Sequence, residues 1–215
     1  WADMKRGLFI SVEGIDGSGK STQMENMKQY LSLLGCKVIL TREPGGTRIG
    51  ESIRSILLDP SNDEMCAKTE LLLYSASRSQ LVEQVIKPSL EKSITVICDR
   101  YVDSFYAYQG YGRGISLKLL DEITGIATGG IMPDITIFLD LDPFDGQERR
   151  ASLPGSDRIE NEVLEFHLKV YNGYKELAKK YPSRIKTINA AKPADMVWKD
   201  IRRHLDMVLG FARLV

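Results

Sequence analysis

Cysteine is scarce in this 215-residue chain, and its three examples, Cys36, Cys66 and Cys98, lie far apart. That spacing excludes a disulfide framework or a clustered metal site. Two of the three sit in apolar runs, which fits buried thiols kept reduced, so a cytoplasmic location is expected. No apolar run approaches the ~20 residues of a membrane span, and Trp1-Ala2-Asp3-Met4 lacks the basic-then-apolar shape of a secretory signal, leaving Met4 as the expected natural start. Neither sign of charge prevails: Lys plus Arg and Asp plus Glu number 29 each, which removes the broad positive field that nucleic acid or an anionic membrane surface requires. Any anion must be held by local groups. Repeats and low-complexity segments are also missing. With 43% hydrophobic residues the chain can bury a full core, and one domain over 1–215 is expected.

What is present is organised around Gly14-Ile15-Asp16-Gly17-Ser18-Gly19-Lys20-Ser21, two glycines flanking four residues and followed by Lys and Ser. Such glycines let successive backbone N–H groups turn inward around phosphate oxygens at the positive end of the following helix. Lys20 is then placed for the β- and γ-phosphates and the Ser21 hydroxyl for Mg²⁺. The flanks agree, because Leu8 to Glu13 is an apolar run of strand length, and Met24, Met27, Leu31 and Leu34 recur at helical spacing over Lys20 to Leu34.

Further along, Lys37 to Thr41 reads as a second strand ending at the turn Arg42-Glu43-Pro44-Gly45-Gly46. Ile49, Ile53, Ile56 and Leu57 mark one face of a short helix, with Arg54 beside it. From about Lys68 to Leu90 a longer helix turns Leu71, Leu72, Val82, Val85 and Ile86 inward. Glu70, Tyr74 and Arg78 form a second stripe on it, which taken alone reads as a contact at the core edge. Ile94 to Cys98 is a third strand delivering Asp99 and Arg100 at its carboxyl end, where open parallel sheets hold ligands; an internal ion pair between those neighbours is the alternative. Ser104 to Tyr108 leads into a glycine-broken loop, Gln109 to Gly114. Leu117, Leu120, Ile123 and Ile126 mark a helix, and Ile135 to Leu139 a fourth strand. The polar stretch Asp142 to Arg158, broken by Pro143, Gly146, Pro154 and Gly155, carries Arg149, Arg150 and Arg158 and reads as a charged flap, although surface solvation explains Arg150 equally well. A helix over Glu160 to Lys180 buries Val163, Phe166, Val170, Tyr174 and Leu177. Ile185 to Ile188 forms a fifth strand, and a last helix starts near Pro193. Strands alternating with helices five times predict an α/β three-layer fold, a five-stranded parallel sheet with helices on both faces.

Six segments together, Gly14 to Ser21, Arg42 to Thr47, Ser75 to Arg78, Asp99 to Tyr101, Ala107 to Gly110 and Asp157 to Glu160, resemble bacterial-type thymidylate kinase in order and spacing from Phe9 to about Leu209. The resemblance implies transfer of the ATP γ-phosphoryl group to dTMP, with Mg²⁺, by a P-loop kinase domain whose flap, or LID, covers about 142–158. It implies a homodimer and neither nucleic acid nor membrane as partner. By this similarity Asp16, Gly17, Ser18, Gly19, Thr22, Asn189 and Ala190 join Gly14, Lys20 and Ser21 around ATP, with Asn189 and Ala190 bordering the adenine. Ser21 and Asp99 hold the metal. Asp16 also meets the deoxyribose 3′-hydroxyl, Tyr74 stacks on thymine, and Arg78 bonds the edge of the base. Glu43, Arg54, Arg100, Ser104, Phe105, Tyr108 and Gln109 complete the acceptor site.

Phosphoryl transfer between two anions needs cations more than a base, and Lys20, Arg100, Arg149 and Arg158 are the expected catalytic ones. The variable loop positions, Ile15, Asp16, Gly17 and Ser18, include no basic residue. That is similar to the family type in which the flap supplies the catalytic arginine, here Arg149 with Arg158 in support. Phe105 departs from the Ser or Thr of many relatives, which moves the base contact toward Gln109. A broader pyrimidine monophosphate kinase is the nearest alternative. A GTP switch is disfavoured, because Leu139-Asp140-Leu141-Asp142 stands where a guanine-reading Asn-Lys-x-Asp would be, and a dinucleotide fingerprint does not end in Gly-Lys-Ser.

Overall fold

The computed structural model describes residues 6–151 and 156–210. Pro154 and Gly155 of the flap, and residues 1–5 with Met4, lie outside the described residues. Five parallel strands, β1 (Phe9–Glu13), β2 (Val38–Arg42), β3 (Thr95–Asp99), β4 (Ile135–Asp140) and β5 (Ile185–Asn189), form one sheet in the order β2-β3-β1-β4-β5. Alternation along each strand divides the core between the two faces. Ile10, Val12, Ile97, Ile135 and Ile137 pack with Met24, Met27 and Leu31 of α1 (Lys20–Leu33) and with Val197 and Ile201 of α9 (Ala194–Val208). On the other face Phe9, Val96 and Cys98 meet Leu81, Val82 and Ile86, and Phe138 meets Phe166, Val170 and Tyr174 of α8 (Leu164–Lys180). The predicted three-layer arrangement is therefore the one observed. β1 lies at the centre with β3 and β4 on either side, so the loops after these three strands open at one crevice.

Several local expectations change. The helix predicted from Lys68 runs as α3 (Ala67–Leu81), a π-helical turn (Val82–Ile86) and α4 (Lys87–Glu91). Leu72 on α3 is exposed, as are Ile49 and Ile56 on α2 (Arg48–Leu58) and Ile126 on α6 (Leu117–Thr128), so their apolar spacing marks an outer face. Leu34 is exposed because α1 stops at Leu33. The expected loop at Gln109 is helical: α5 (Val102–Phe105) continues into a π-helical segment, Tyr106–Gly112. Its glycines mark close packing, since a Cβ on Gly110 would lie 2.7 Å from Leu117 Cδ2 and one on Gly112 2.7 Å from Phe166 Cε2. The first part of the flap is also a helix, α7 (Pro143–Ala151). Asp142 accepts the Phe144 N–H at 2.9 Å and Pro143 occupies the first turn, so residues that read as breakers are a helix start. Glu160 to Val163 stay outside α8, held in a turn by Asp157, which accepts the Ile159 and Glu160 N–H groups at 2.9 Å each, and Val163 is exposed. All three thiols are free, with Cys98 buried, Cys36 half-buried and Cys66 exposed.

Candidate active site

The glycine loop joins β1 to α1 and enters the helix through Gly19, whose φ of 89° favours glycine. No side chain caps α1 and no acidic residue stands in its first turn, so its leading N–H groups and positive dipole end face an anion. Lys20 is folded back onto this loop, donating to the Gly14 and Ile15 carbonyls at 3.2 and 3.1 Å, with Asp16 Oδ1 3.6 Å away. Burial lowers its pKa, and Arg100 adds to the effect. Helix α7 lies against the loop: a Cβ on Gly17 would come within 2.5 Å of the Gly146 carbonyl oxygen, and one on Gly146 within 2.5 Å of Ile15 Cδ1. Glycine at both positions is what lets the flap helix meet the cradle.

One cleft at this end of the sheet is lined by Lys20, Ser21 and Thr22 together with Arg42, Arg54, Arg100, Arg149 and Arg150. Asp99, at the carboxyl end of β3, lines it as well, and its Oδ1 is buried without a hydrogen-bond partner among the described residues. An orphaned carboxylate oxygen and a serine hydroxyl are hard oxygen donors, the type Mg²⁺ takes together with phosphate oxygens and water. No group of three or more His, Cys, Asp or Glu able to cage a metal occurs among the described residues.

Arg100 links this cleft to a second cavity. Its backbone sits at φ 65°, unusual for a residue with a side chain. Its guanidinium donates to the Gly14 carbonyl (2.8 Å), the Tyr174 hydroxyl (3.0 Å) and Asp16 Oδ1 (2.8 Å). Burial works against an ionised Asp16, yet Arg100 and Lys20 hold its carboxyl well below the usual range. Behind Arg100 lies Glu13, fully buried at the end of β1. It accepts from Ser11 Oγ (2.6 Å), the Tyr101 N–H (2.7 Å), the Ser104 hydroxyl and the Tyr174 hydroxyl (3.2 Å). Burial and the nearby Asp103 raise its pKa.

Every residue expected at the acceptor lines this second cavity: Asp16, Glu43, Arg54, Tyr74, Arg78, Arg100, Ser104, Phe105, Tyr108 and Gln109. Asp16, Glu43, Arg54, Arg100 and Glu160 line both spaces, which makes them one continuous site. Arg78 is buried and paired with Glu43 at 2.6 Å, and its guanidinium lies 4.6 Å from the Phe105 ring centre. Burial lifts Glu43 to about 7 against the pull of Arg78. Phe105 thus braces Arg78 rather than offering a hydroxyl. Arg54 is oriented by donating to the Pro44 carbonyl at 3.0 Å. Three buried polar atoms on this wall have no partner among the described residues: Glu43 Oε1, Arg78 Nη1 and Gln109 Oε1.

Three expected residues are placed differently. Arg158 lines neither space: it donates to the Leu57 carbonyl at 2.8 Å and pairs with Glu70 at 2.6 Å, tying the end of the flap to α2 and α3. Asn189 caps the turn after β5, its Oδ1 accepting the Ala191 N–H at 2.9 Å. The buried Ala190 adjoins the cleft through Arg149, which donates to its carbonyl at 3.2 Å. Glu13, Tyr174 and Glu160 were not singled out from sequence. Glu13 carried a readable signal, an acid ending a buried strand beside the glycine loop. Tyr174 carried none, because a tyrosine at core spacing reads as core.

Comparison with known proteins agrees with this geometry. The family model described as thymidylate kinase matches residues 12–201. The chain is similar to a thymidylate kinase of Pelotomaculum thermopropionicum, 45% identical over 206 residues with 95% of each chain covered. It is also similar to one of Deinococcus radiodurans, 47% identical over 198 residues and covering 92% of this chain and 96% of the relative. Among solved structures, the thymidylate kinase of Ehrlichia chaffeensis superposes with a TM-score of 0.75 at 36% identity, over 93% of this chain and 98% of that one.

Proposed function

The chain belongs to the thymidylate kinase family, and from that premise we propose how its residues divide the reaction. It is a phosphotransferase that moves the γ-phosphoryl group of ATP to dTMP, giving dTDP and ADP. The observation that carries the division of labour is the shared wall: the cavity with Arg78 Nη1 and Gln109 Oε1, which have no partner among the described residues, opens into the cationic cleft past Asp16, Arg54 and Arg100.

In our reading the loop N–H groups and Lys20 bind the ATP phosphates, and Lys20 leaves the Gly14 and Ile15 carbonyls to do so. Ser21 and Asp99 would hold Mg²⁺, which when bound offsets the charge gathering on the β- and γ-phosphates. Arg54 and Arg100 hold the acceptor phosphate, and Asp16, fixed by Arg100, accepts from the deoxyribose hydroxyl. Tyr74 and Tyr108 flank the base, and Arg149 brings the flap's positive charge to the transferred group. Because the acceptor is already an anion, none of these groups has to remove a proton from it.

In a coupled ADP-release assay with MgATP, dTMP is consumed far faster than dCMP or AMP. Preference for AMP, or no monophosphate turned over, overturns the reading, and equal use of dUMP makes the enzyme a broader pyrimidine kinase. We further propose a cytoplasmic homodimer. Three free thiols fit a reducing compartment, which cell fractionation checks. Ile49 and Ile56 on α2, Leu72 on α3 and Leu119 and Ile126 on α6 are exposed apolar groups on elements that pack side by side. Sedimentation is expected at twice the 24.2 kDa chain mass, and a species at the single-chain mass at micromolar concentration rejects the dimer.

A further inference from the structure

Gln109 is 1% exposed, and at its tip oxygen and nitrogen are nearly the same size, so neighbours alone decide which end faces the ligand. Here the neighbour is Glu70 on α3, also 1% exposed, whose Oε1 accepts from Gln109 Nε2 at 2.8 Å. An ionised carboxylate can only accept, so the amide must turn its N–H₂ to Glu70 and leave its carbonyl oxygen over. That oxygen is the buried atom without a partner among the described residues, on a residue that lines the acceptor cavity.

Glu70 is itself held from both sides. Its Oε1 also accepts from Arg113 Nε at 3.0 Å, and its Oε2 accepts from Arg113 Nη2 at 3.0 Å and from Arg158 Nη2 at 2.6 Å. Arg113 is braced in turn by Glu162 at 2.6 Å. Burial opposes ionisation, but Arg113 and Gln109, with Arg158, keep the carboxyl below its usual pKa and hence an acceptor.

Beside Glu43 Oε1, whose carboxyl is already paired with Arg78, the wall therefore presents a spare donor, Arg78 Nη1, and a spare acceptor, Gln109 Oε1, among the described residues. A pyrimidine with a C4 carbonyl and an N3–H supplies the matching acceptor and donor. Cytosine, with a C4 amino group and a bare N3, supplies the reverse, placing donor against donor and acceptor against acceptor. We propose that Glu70 is a positioning residue for base selection: it locks the Gln109 amide with its carbonyl oxygen toward N3, and so makes the site reject cytosine. Held by Glu70, Arg158 then contributes to specificity from outside the phosphate cleft. The inference rests on the dTMP reading above.

The test is Glu70→Gln, assayed with dTMP and dCMP. At the Oε2 position an amide nitrogen would face two cationic donors, whereas at Oε1 it faces one arginine N–H and an amide that can flip, so the new N–H₂ goes to Gln109. Gln109 then turns its own N–H₂ to the base. The ratio of kcat/KM for dTMP over dCMP is expected to fall on the order of 10- to 100-fold, because one buried mispairing is relieved for cytosine and one is created for thymine. A purely structural Glu70 lowers both substrates together and leaves the ratio unchanged, which would overturn the proposal.

Should Glu70→Gln not fold, two variants of Gln109 decide the matter. In Gln109→Glu, two carboxyls within hydrogen-bond reach share one proton, and the new side chain donates to Glu70 while keeping a carbonyl for the base. It is expected to retain the dTMP preference at neutral pH, whereas Gln109→Leu loses it; equal loss in both overturns the lock. If the unaltered enzyme fails to use dTMP, the function itself is wrong. If it prefers dTMP over dCMP yet Glu70→Gln, or in its place Gln109→Leu, leaves the ratio untouched, only the role of Glu70 falls.

Discussion

Replacing Arg149 with alanine lowers kcat on the order of 10³-fold and leaves dTMP affinity nearly unchanged, the pattern of a lost arginine finger. Three observations converge on this residue. The loop from Gly14 to Gly19 contains no basic side chain, so positive charge at the transferred group has to come from elsewhere. Helix α7 is seated on that loop through Gly17 and Gly146, which brings its last turn over the cleft. Arg149 lines the phosphate cleft but not the acceptor cavity, so its removal leaves the dTMP contacts in place. Arg150 lines the same cleft, donates to Glu160 through two bonds of 2.8 Å, and is the competing choice. Steady-state kinetics with titration calorimetry of dTMP read both quantities. An Arg149→Ala enzyme with normal kcat removes the assignment, and one whose kcat is normal while dTMP affinity collapses reassigns Arg149 to the acceptor.

The five strands were legible because each is a short apolar run delivering a polar or charged residue at its carboxyl end, as at Glu13, Asp99 and Asp140, whereas their order in the sheet was not predicted. The glycine loop was legible because its chemistry demands a fixed spelling. Harder to read were places where one residue type serves two purposes. Gly110 and Gly112 look like breaks in a chain, yet they are the points where Leu117 and Phe166 press against a helix. Ile49, Ile56 and Leu72 have core spacing on helices whose other side is the one buried, because period reports a face and not what covers it. Arg158 looked like a catalytic cation because its charge is visible in sequence, whereas the buried Glu70 that claims it is 88 residues away and only folding brings the two to 2.6 Å. Tyr174 joins the site through its hydroxyl while its ring stacks on Phe138 in the core, centres 5.2 Å apart.

Arg100→Lys, which keeps the charge, is expected to lose on the order of 10²- to 10³-fold in kcat/KM for dTMP. The reason is shape. A guanidinium reaches the Gly14 carbonyl, the Tyr174 hydroxyl and Asp16 at once, and a single ammonium cannot hold all three. Losing one charge-assisted contact costs about 1.5–3 kcal/mol, and here the loss also frees Asp16 from the orientation it needs toward the sugar. The backbone does not adapt to compensate, because it is pinned on both sides: Arg100 N–H donates to the Val12 carbonyl at 2.9 Å, and Tyr101 N–H donates to Glu13 at 2.7 Å. These bonds hold Arg100 at φ 65°, a conformation that costs about 1–2 kcal/mol for any residue with a Cβ. Lysine inherits that cost, so its variant isolates the side chain, while Arg100→Gly removes side chain and strain together. Glycine is therefore expected to recover part of the stability lost with the ion pair, and to be the poorer enzyme of the two. Thermal unfolding and dTMP kinetics on the pair separate these effects. A lysine variant within three-fold of the unaltered enzyme would show that charge alone suffices, and that the left-handed backbone serves the fold rather than the acceptor phosphate.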